Sequence, residues 1–146
     1  IDRRERLEGY RQALAEYGIT PDKNWVISVP FNEEGGERAA HQLLNCGIPF
    51  TAAVTFNDVM AAGIMRILHQ QGITLPQQLS IVGFDDVVMA RYLYPALTTM
   101  HYPVERMARC ASQLAIQLFK GATQRPSVNS FTAELVIRDS VLPPSL

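Results

Sequence analysis

This chain is short of cysteine, has no charge of one sign to spare and contains no long apolar run. Its 146 residues carry two cysteines, one tryptophan and three histidines. Cys46 and Cys110 each fall in a helical, mostly apolar context. That placement predicts two buried thiols in a reducing compartment rather than a disulfide. Thirteen basic residues against fourteen acidic ones leave a net charge of −1. A nucleic-acid surface would be basic, so this stretch by itself does not read as one. No apolar run reaches the roughly 18 residues that a membrane-spanning helix needs. No signal peptide opens the chain. Ile1 is followed at once by charged, helix-like sequence, as in a piece of a longer protein. There is no internal repeat and no low-complexity tract. His41, His69 and His101 stand apart, without metal-ligand spacing. The P-loop, the dinucleotide glycine fingerprint and the G-x-S-x-G elbow are all missing.

What is present is an alternation. The hydrophobic share of 47% is ordinary for a globular core. Residues 79–86, Leu-Ser-Ile-Val-Gly-Phe-Asp-Asp, run apolar and then end on two carboxylates. A strand buried on both faces of a sheet reads this way. Around it the spacing predicts helices at 3–17, 33–45, 58–71 and 103–120, and strands at 25–29, 51–56, 97–102 and 130–138. Residues 87–96 have no clean period, and 121–129 read as a polar loop. Gly35 and Gly36 weaken the first turn of the second helix. Strands and helices that alternate predict an α/β fold with parallel strands and right-handed crossovers. A chain that opens on a helix further implies a strand upstream of it.

In such a sheet ligands bind outside the C-terminal strand ends. Three predicted strands end in Phe31-Asn32, Asn57-Asp58 and Asp85-Asp86. Parallel strands would bring all three to one rim. Carboxylates and amides can engage neighbouring hydroxyls through paired hydrogen bonds. An aromatic ring can cover the apolar face of a sugar or a base. An arginine near the start of the first helix could add a fork of donors. The rim therefore has the chemistry of a site for a small polyhydroxylated ligand. Each residue also has a plainer reading. Asn57 is a helix N-cap on any account, and Asp58 suits the helix dipole without a ligand. Asp85-Asp86 could be a solvated turn, Phe31 a loop residue folded onto the core, and Arg3, Arg4 and Arg6 a solvated helix face. Asp85-Asp86 could instead hold magnesium for phosphoryl transfer, with Asp58 as a third acid. Only convergence on one rim favours the ligand site.

Four segments occur in a telling order: R-L-x-G-Y at Arg6 to Tyr10, F-N-D-x-M-A-x-G at Phe56 to Gly63, I-V-G-F-D-D at Ile81 to Asp86, and P-x-L-T-T at Pro95 to Thr99. Together they resemble the effector-binding core of the LacI/GalR family of bacterial transcription regulators, over nearly the whole chain. Residues 32–37, 102–103 and 138–141 look closest to the galactose repressor and isorepressor branch. The resemblance implies a type I periplasmic-binding-protein-like fold, a three-layer sandwich around a parallel sheet. It implies the C-terminal effector-binding subdomain over 1–99, a crossover segment at 100–129 belonging to the N-terminal subdomain, and a returning strand and tail at 130–146. Carried over residue by residue, it implies effector contacts from Arg6, Phe31, Asn57, Asp85 and Tyr102. It implies a sugar effector of galactose or galactoside type, no cofactor, no metal, no catalytic residue and no membrane. It also implies a cytoplasmic homodimer that uses one face of the 58–71 helix and the 87–94 segment, and operator DNA held only by a helix-turn-helix headpiece upstream. The alternative on the same rim chemistry is a periplasmic sugar-binding protein of a transport system.

Overall fold

Strand β2, Ser80–Asp85, sits mid-sheet as its apolar run predicts. In this computed structural model, which describes residues 3–121 and 130–144, β1 (Ala52–Val54) lies parallel to it on one side and β3 (Thr98–His101) parallel on the other. A fourth strand, β4 (Glu134–Val136), pairs antiparallel to β3, giving the order β1-β2-β3-β4. Helices α1 (Arg3–Glu16), α2 (Glu33–Asn45), α3 (Asp58–Gln70) and α4 (Val104–Phe119) occur in chain order around these strands. The fold is the expected α/β arrangement, a mostly parallel sheet with helices.

The core lies between α2, α3 and the sheet. Ala40, Ala61, Leu68, Ile81 and Leu97 are completely buried there. Two helices can approach this closely only where side chains are absent. A Cβ on Gly36 would overlap the carbonyl of Met60, and one on Gly63 would overlap the carbonyl of Glu33. So Gly36 and Gly63 serve the α2–α3 crossing, which outweighs the helix propensity they cost. Both helices start on an asparagine cap. Asn32 Oδ1 accepts from the Gly35 N–H and Asn57 Oδ1 from the Met60 N–H, each at 2.9 Å. Ile81 faces this core, and side chains alternate along a strand. Phe84 therefore faces the other side, where Arg6 of α1 lies over its ring.

The chain end straps the sheet. Ser140 is fully buried. Its Oγ accepts from the Thr98 N–H at 2.8 Å and donates to the Ile81 carbonyl at 2.6 Å.

Several expectations need correction. Residues 25–29 are not a strand. A 3₁₀ turn at Lys23–Trp25 is followed by extended backbone with no ladder partner among the described residues. The β-branched residues there do set an extended conformation, and Ile27 and Val29 pack against the core, but a strand also requires a hydrogen-bonded neighbour. Strands β1 and β4 are shorter than the 51–56 and 130–138 segments. Residues 87–96 contain a 3₁₀ turn, Val88–Arg91. Of the 121–129 loop, 122–129 lie outside the described residues. Cys46 is exposed rather than buried, Cys110 is intermediate, and the two do not form a disulfide. Helix α4 has no buried residue and leaves Val104 and Leu118 more than half exposed. No helix among the described residues is long and apolar enough to cross a membrane.

Candidate functional site

Because β1, β2 and β3 run the same way, their C-terminal ends form one rim. Asn57 follows β1, Asp85 ends β2, and Tyr102 follows β3 directly beside it, since Asp85 is in register with His101. Arg6 reaches the same rim from α1. Its guanidinium carbon lies 4.1 Å from the centre of the Phe56 ring and 3.6 Å from that of Phe84. A planar cation held between two ring faces is the geometry of paired cation–π contacts. One terminal nitrogen donates to the Phe56 carbonyl. The other lies 3.9 Å from Asp85 Oδ1, beyond a direct hydrogen bond.

Aromatic contacts extend the rim on both sides. Phe31 stacks on Phe56 with ring centres 4.1 Å apart and keeps about half of its surface exposed. Tyr102 tilts against Phe84 at 5.7 Å. Asn57 spans the gap between loops, its Nδ2 donating to the Phe31 carbonyl at 3.2 Å while its Oδ1 caps α3. The structure thus brings Arg6, Phe31, Asn57, Asp85 and Tyr102 together along one edge.

The electrostatics are those of an unfinished pair. Burial lowers the Arg6 pKa, against the opposing pull of Asp85 and Tyr102. Its Nε is buried with no hydrogen-bond partner among the described residues. Burial likewise raises the Asp85 pKa, with Arg6 pulling it down and Asp58 adding to the rise. Both charged forms have lost water, and beyond the single bond from Arg6 to the Phe56 carbonyl neither gains a close bond from the other. A ligand hydroxyl, at once acceptor and donor, could bridge the 3.9 Å between them.

The second carboxylate has another job. Asp86 Oδ1 takes a bond from Arg138 at 2.5 Å, and its Oδ2 lies 3.0 Å from His101 Nδ1. Burial pushes its pKa up, but Arg138 and His101 together outweigh that and leave it below the ordinary value. Asp58 is fully buried, bonded to Thr99 and to the Val87 N–H. Two of the three acids needed for a magnesium site are therefore committed to protein donors. Sequence reasoning missed Phe56 and Phe84 as the bracket around Arg6. The alternation of F-N-D and G-F-D carried that signal, because an aromatic residue precedes the acidic or amide residue at both strand ends.

An edge of polar and aromatic side chains at the C-terminal ends of parallel strands marks the class of open α/β domains that take ligands at that edge. Comparison with known proteins agrees with that class. The periplasmic binding protein-like domain model matches residues 2–141. The chain is 44% identical over 145 residues to the HTH-type transcriptional regulator GalR of Escherichia coli strain K12, an alignment that takes in 99% of this chain and 42% of GalR. The crystal structure of the Escherichia coli transcriptional repressor ascG superposes with a TM-score of 0.85 at 34% identity, covering 95% of this chain and 50% of that one. A transcriptional regulator CelR–cellobiose complex superposes at 0.88 with 30% identity, covering 94% of this chain and 42% of that one. The chain spans less than half the length of the curated relatives it matches. It belongs to the periplasmic binding protein-like domain family, and over that domain it is similar to LacI/GalR-type transcription regulators.

Proposed function

We propose that this chain is the sugar-sensing and dimerising core of a cytoplasmic DNA-binding repressor, with no catalytic activity. The single observation that carries this reading is the stacked, half-desolvated Arg6 standing 3.9 Å from Asp85. Arg6 and Asp85 share a ligand hydroxyl, Phe31 covers an apolar sugar face, and Asn57 and Tyr102 border the ligand. A galactose or galactoside is the proposed effector, on the strength of the 44% identity to GalR. Relatives named as transcription regulators favour this over a transport protein with the same rim chemistry.

The proposed division is residues 1–99 as one lobe, 100–129 as a crossover packed on a second lobe, and 130–146 as the return. The unburied apolar stripe of α4 supports it, because such a stripe calls for a covering surface. The proposed homodimer uses one face of α3 and the 87–94 segment, where Val88, Tyr92 and Tyr94 are 70%, 78% and 96% exposed. Operator DNA is engaged by a separate headpiece. Ligand that bridges the two lobes favours their closed arrangement, and its differential affinity, typically about 1–3 kcal/mol, limits the effect on DNA binding.

Calorimetry of the full-length protein with galactose, fucose, ribose and cellobiose tests this. The reading expects one of them to bind, and both Arg6→Ala and Asp85→Ala to weaken that binding by more than tenfold. Unchanged binding in both variants overturns the site.

A further inference from the structure

Asp58 is a buried carboxylate that neither the helix nor the ligand rim requires. Asn57 already caps α3 through the Met60 N–H. The Asp58 side chain turns instead toward the link from β2 to the Val88–Arg91 turn. Its Oδ1 accepts from Thr99 Oγ1 at 2.5 Å and its Oδ2 from the Val87 N–H at 2.9 Å. Thr99 is also fully buried, and its hydroxyl oxygen accepts from the Asp86 N–H at 3.4 Å. A Cβ on Gly83 would overlap Asp58 Oδ1, so β2 passes the carboxylate with no side chain.

What these two residues grip is an unusual piece of backbone. Asp85 has φ +110° and Asp86 φ +52°, the left-handed region that L residues seldom occupy unless their surroundings impose it. From the other side, Arg138 and His101 hold the Asp86 carboxylate. Asp85 therefore ends a strand on a turn fixed at the two positions that follow it, and its carboxylate is carried over toward Arg6.

We propose that Asp58 and Thr99 are positioning residues for effector recognition: they clamp the backbone at Asp86 and Val87, and so set the Asp85 carboxylate where a ligand hydroxyl can share it with Arg6. This rests on the ligand site proposed above. The same clamp fixes the start of the Val88–Arg91 turn, so the geometry of Asp85 and of the exposed Val88 and Tyr92 are set by one pair of side chains.

The test is calorimetry on the full-length protein with the tightest-binding sugar of the four named above. Thr99→Val keeps the shape and removes the hydroxyl, and Asp58→Asn leaves one acceptor where there were two. Each is expected to weaken sugar binding roughly tenfold, the scale of a lost buried hydrogen bond to a charged group. Thr99→Ser is expected to stay within about threefold of wild type, because it restores the hydroxyl. A purely structural role would not give the next result. In an Asp85→Asn background, Thr99→Val is expected to add less than about threefold, since the clamp acts through Asp85. If Asp85→Asn weakens binding while Thr99→Val and Asp58→Asn do not, or if the losses simply add, the clamp is overturned and the ligand site stands. If Asp85→Asn leaves binding unchanged, the ligand site and the clamp fall together. Should Thr99→Val fail to fold, Asp58→Asn carries the same comparison.

Discussion

Replacing Arg6 by lysine keeps the positive charge and removes the shape. The guanidinium carbon lies over both the Phe56 and the Phe84 rings, 4.1 and 3.6 Å from their centres. Each partly desolvated cation–π contact contributes about 1 kcal/mol, so roughly 2 kcal/mol of positioning rests on the two faces. An ammonium group can lie over one ring but cannot fill the slot between two, and it offers no rigid fork to a hydroxyl and a carbonyl together. One ring contact is lost, about 1 kcal/mol, and so is the bond from the missing fork, about another 1 kcal/mol. At 1.4 kcal/mol per decade, Arg6→Lys is therefore expected to weaken sugar binding about 30-fold. Stability tells the other half. Burial disfavours the Arg6 charge, and its Nε has no partner among the described residues. Arg6→Met places a flexible apolar chain between the same rings, so it is expected to abolish binding while melting within a few degrees of wild type. Titration calorimetry and thermal unfolding of the full-length variants give both numbers. Binding by Arg6→Lys within threefold of wild type, or collapse of the fold in Arg6→Met, refutes the reasoning, because Arg6 would then be a structural residue.

Gly63→Ala is expected to destabilise by about 1–3 kcal/mol, read as a lower melting temperature, because its Cβ meets the Glu33 backbone; an unchanged melting temperature contradicts the close crossing of α2 and α3. Arg138 and His101 hold the Asp86 pKa below the ordinary carboxylate value in the fold. The stability this contributes is fully present above the ordinary carboxylate value and is lost as pH falls through the lowered one. Melting temperature should therefore drop below about pH 4, and Arg138→Met should flatten that drop. Tyr92→Asp puts a charge into the exposed apolar cluster around Val88 and Tyr94; sedimentation of the full-length protein is expected to shift from dimer toward monomer.

The rim was legible because parallel strands need only order and hydrophobic runs to be recognised. The 79–86 run gave β2, the central strand, and its polar end gave Asp85. Local chemistry also marked the caps, so Asn57 was found by its position before a helical stripe. The β-branching of residues 25–29 predicts a strand, but it sets backbone shape and not the presence of a neighbouring strand. Gly36 reads in sequence as a weakness of one helix, and only the crossing of α2 over α3 reveals the use of Gly36 and of Gly63. Asp86 and Asp85 are adjacent and chemically identical in sequence, yet one is locked by Arg138, 52 residues away, and the other faces the rim. Long-range partners of that kind leave no local pattern. The helical setting of Cys46 predicts burial, but Cys46 is the C-cap of α2 and lies exposed there.

A structure of the full-length protein with its sugar bound addresses the central claim most directly. It should show one ligand hydroxyl within hydrogen-bond distance of both Arg6 and Asp85, and the sugar ring against Phe31. A sugar seated elsewhere, with Arg6 still stacked and Asp85 touching no ligand atom, would contradict the account.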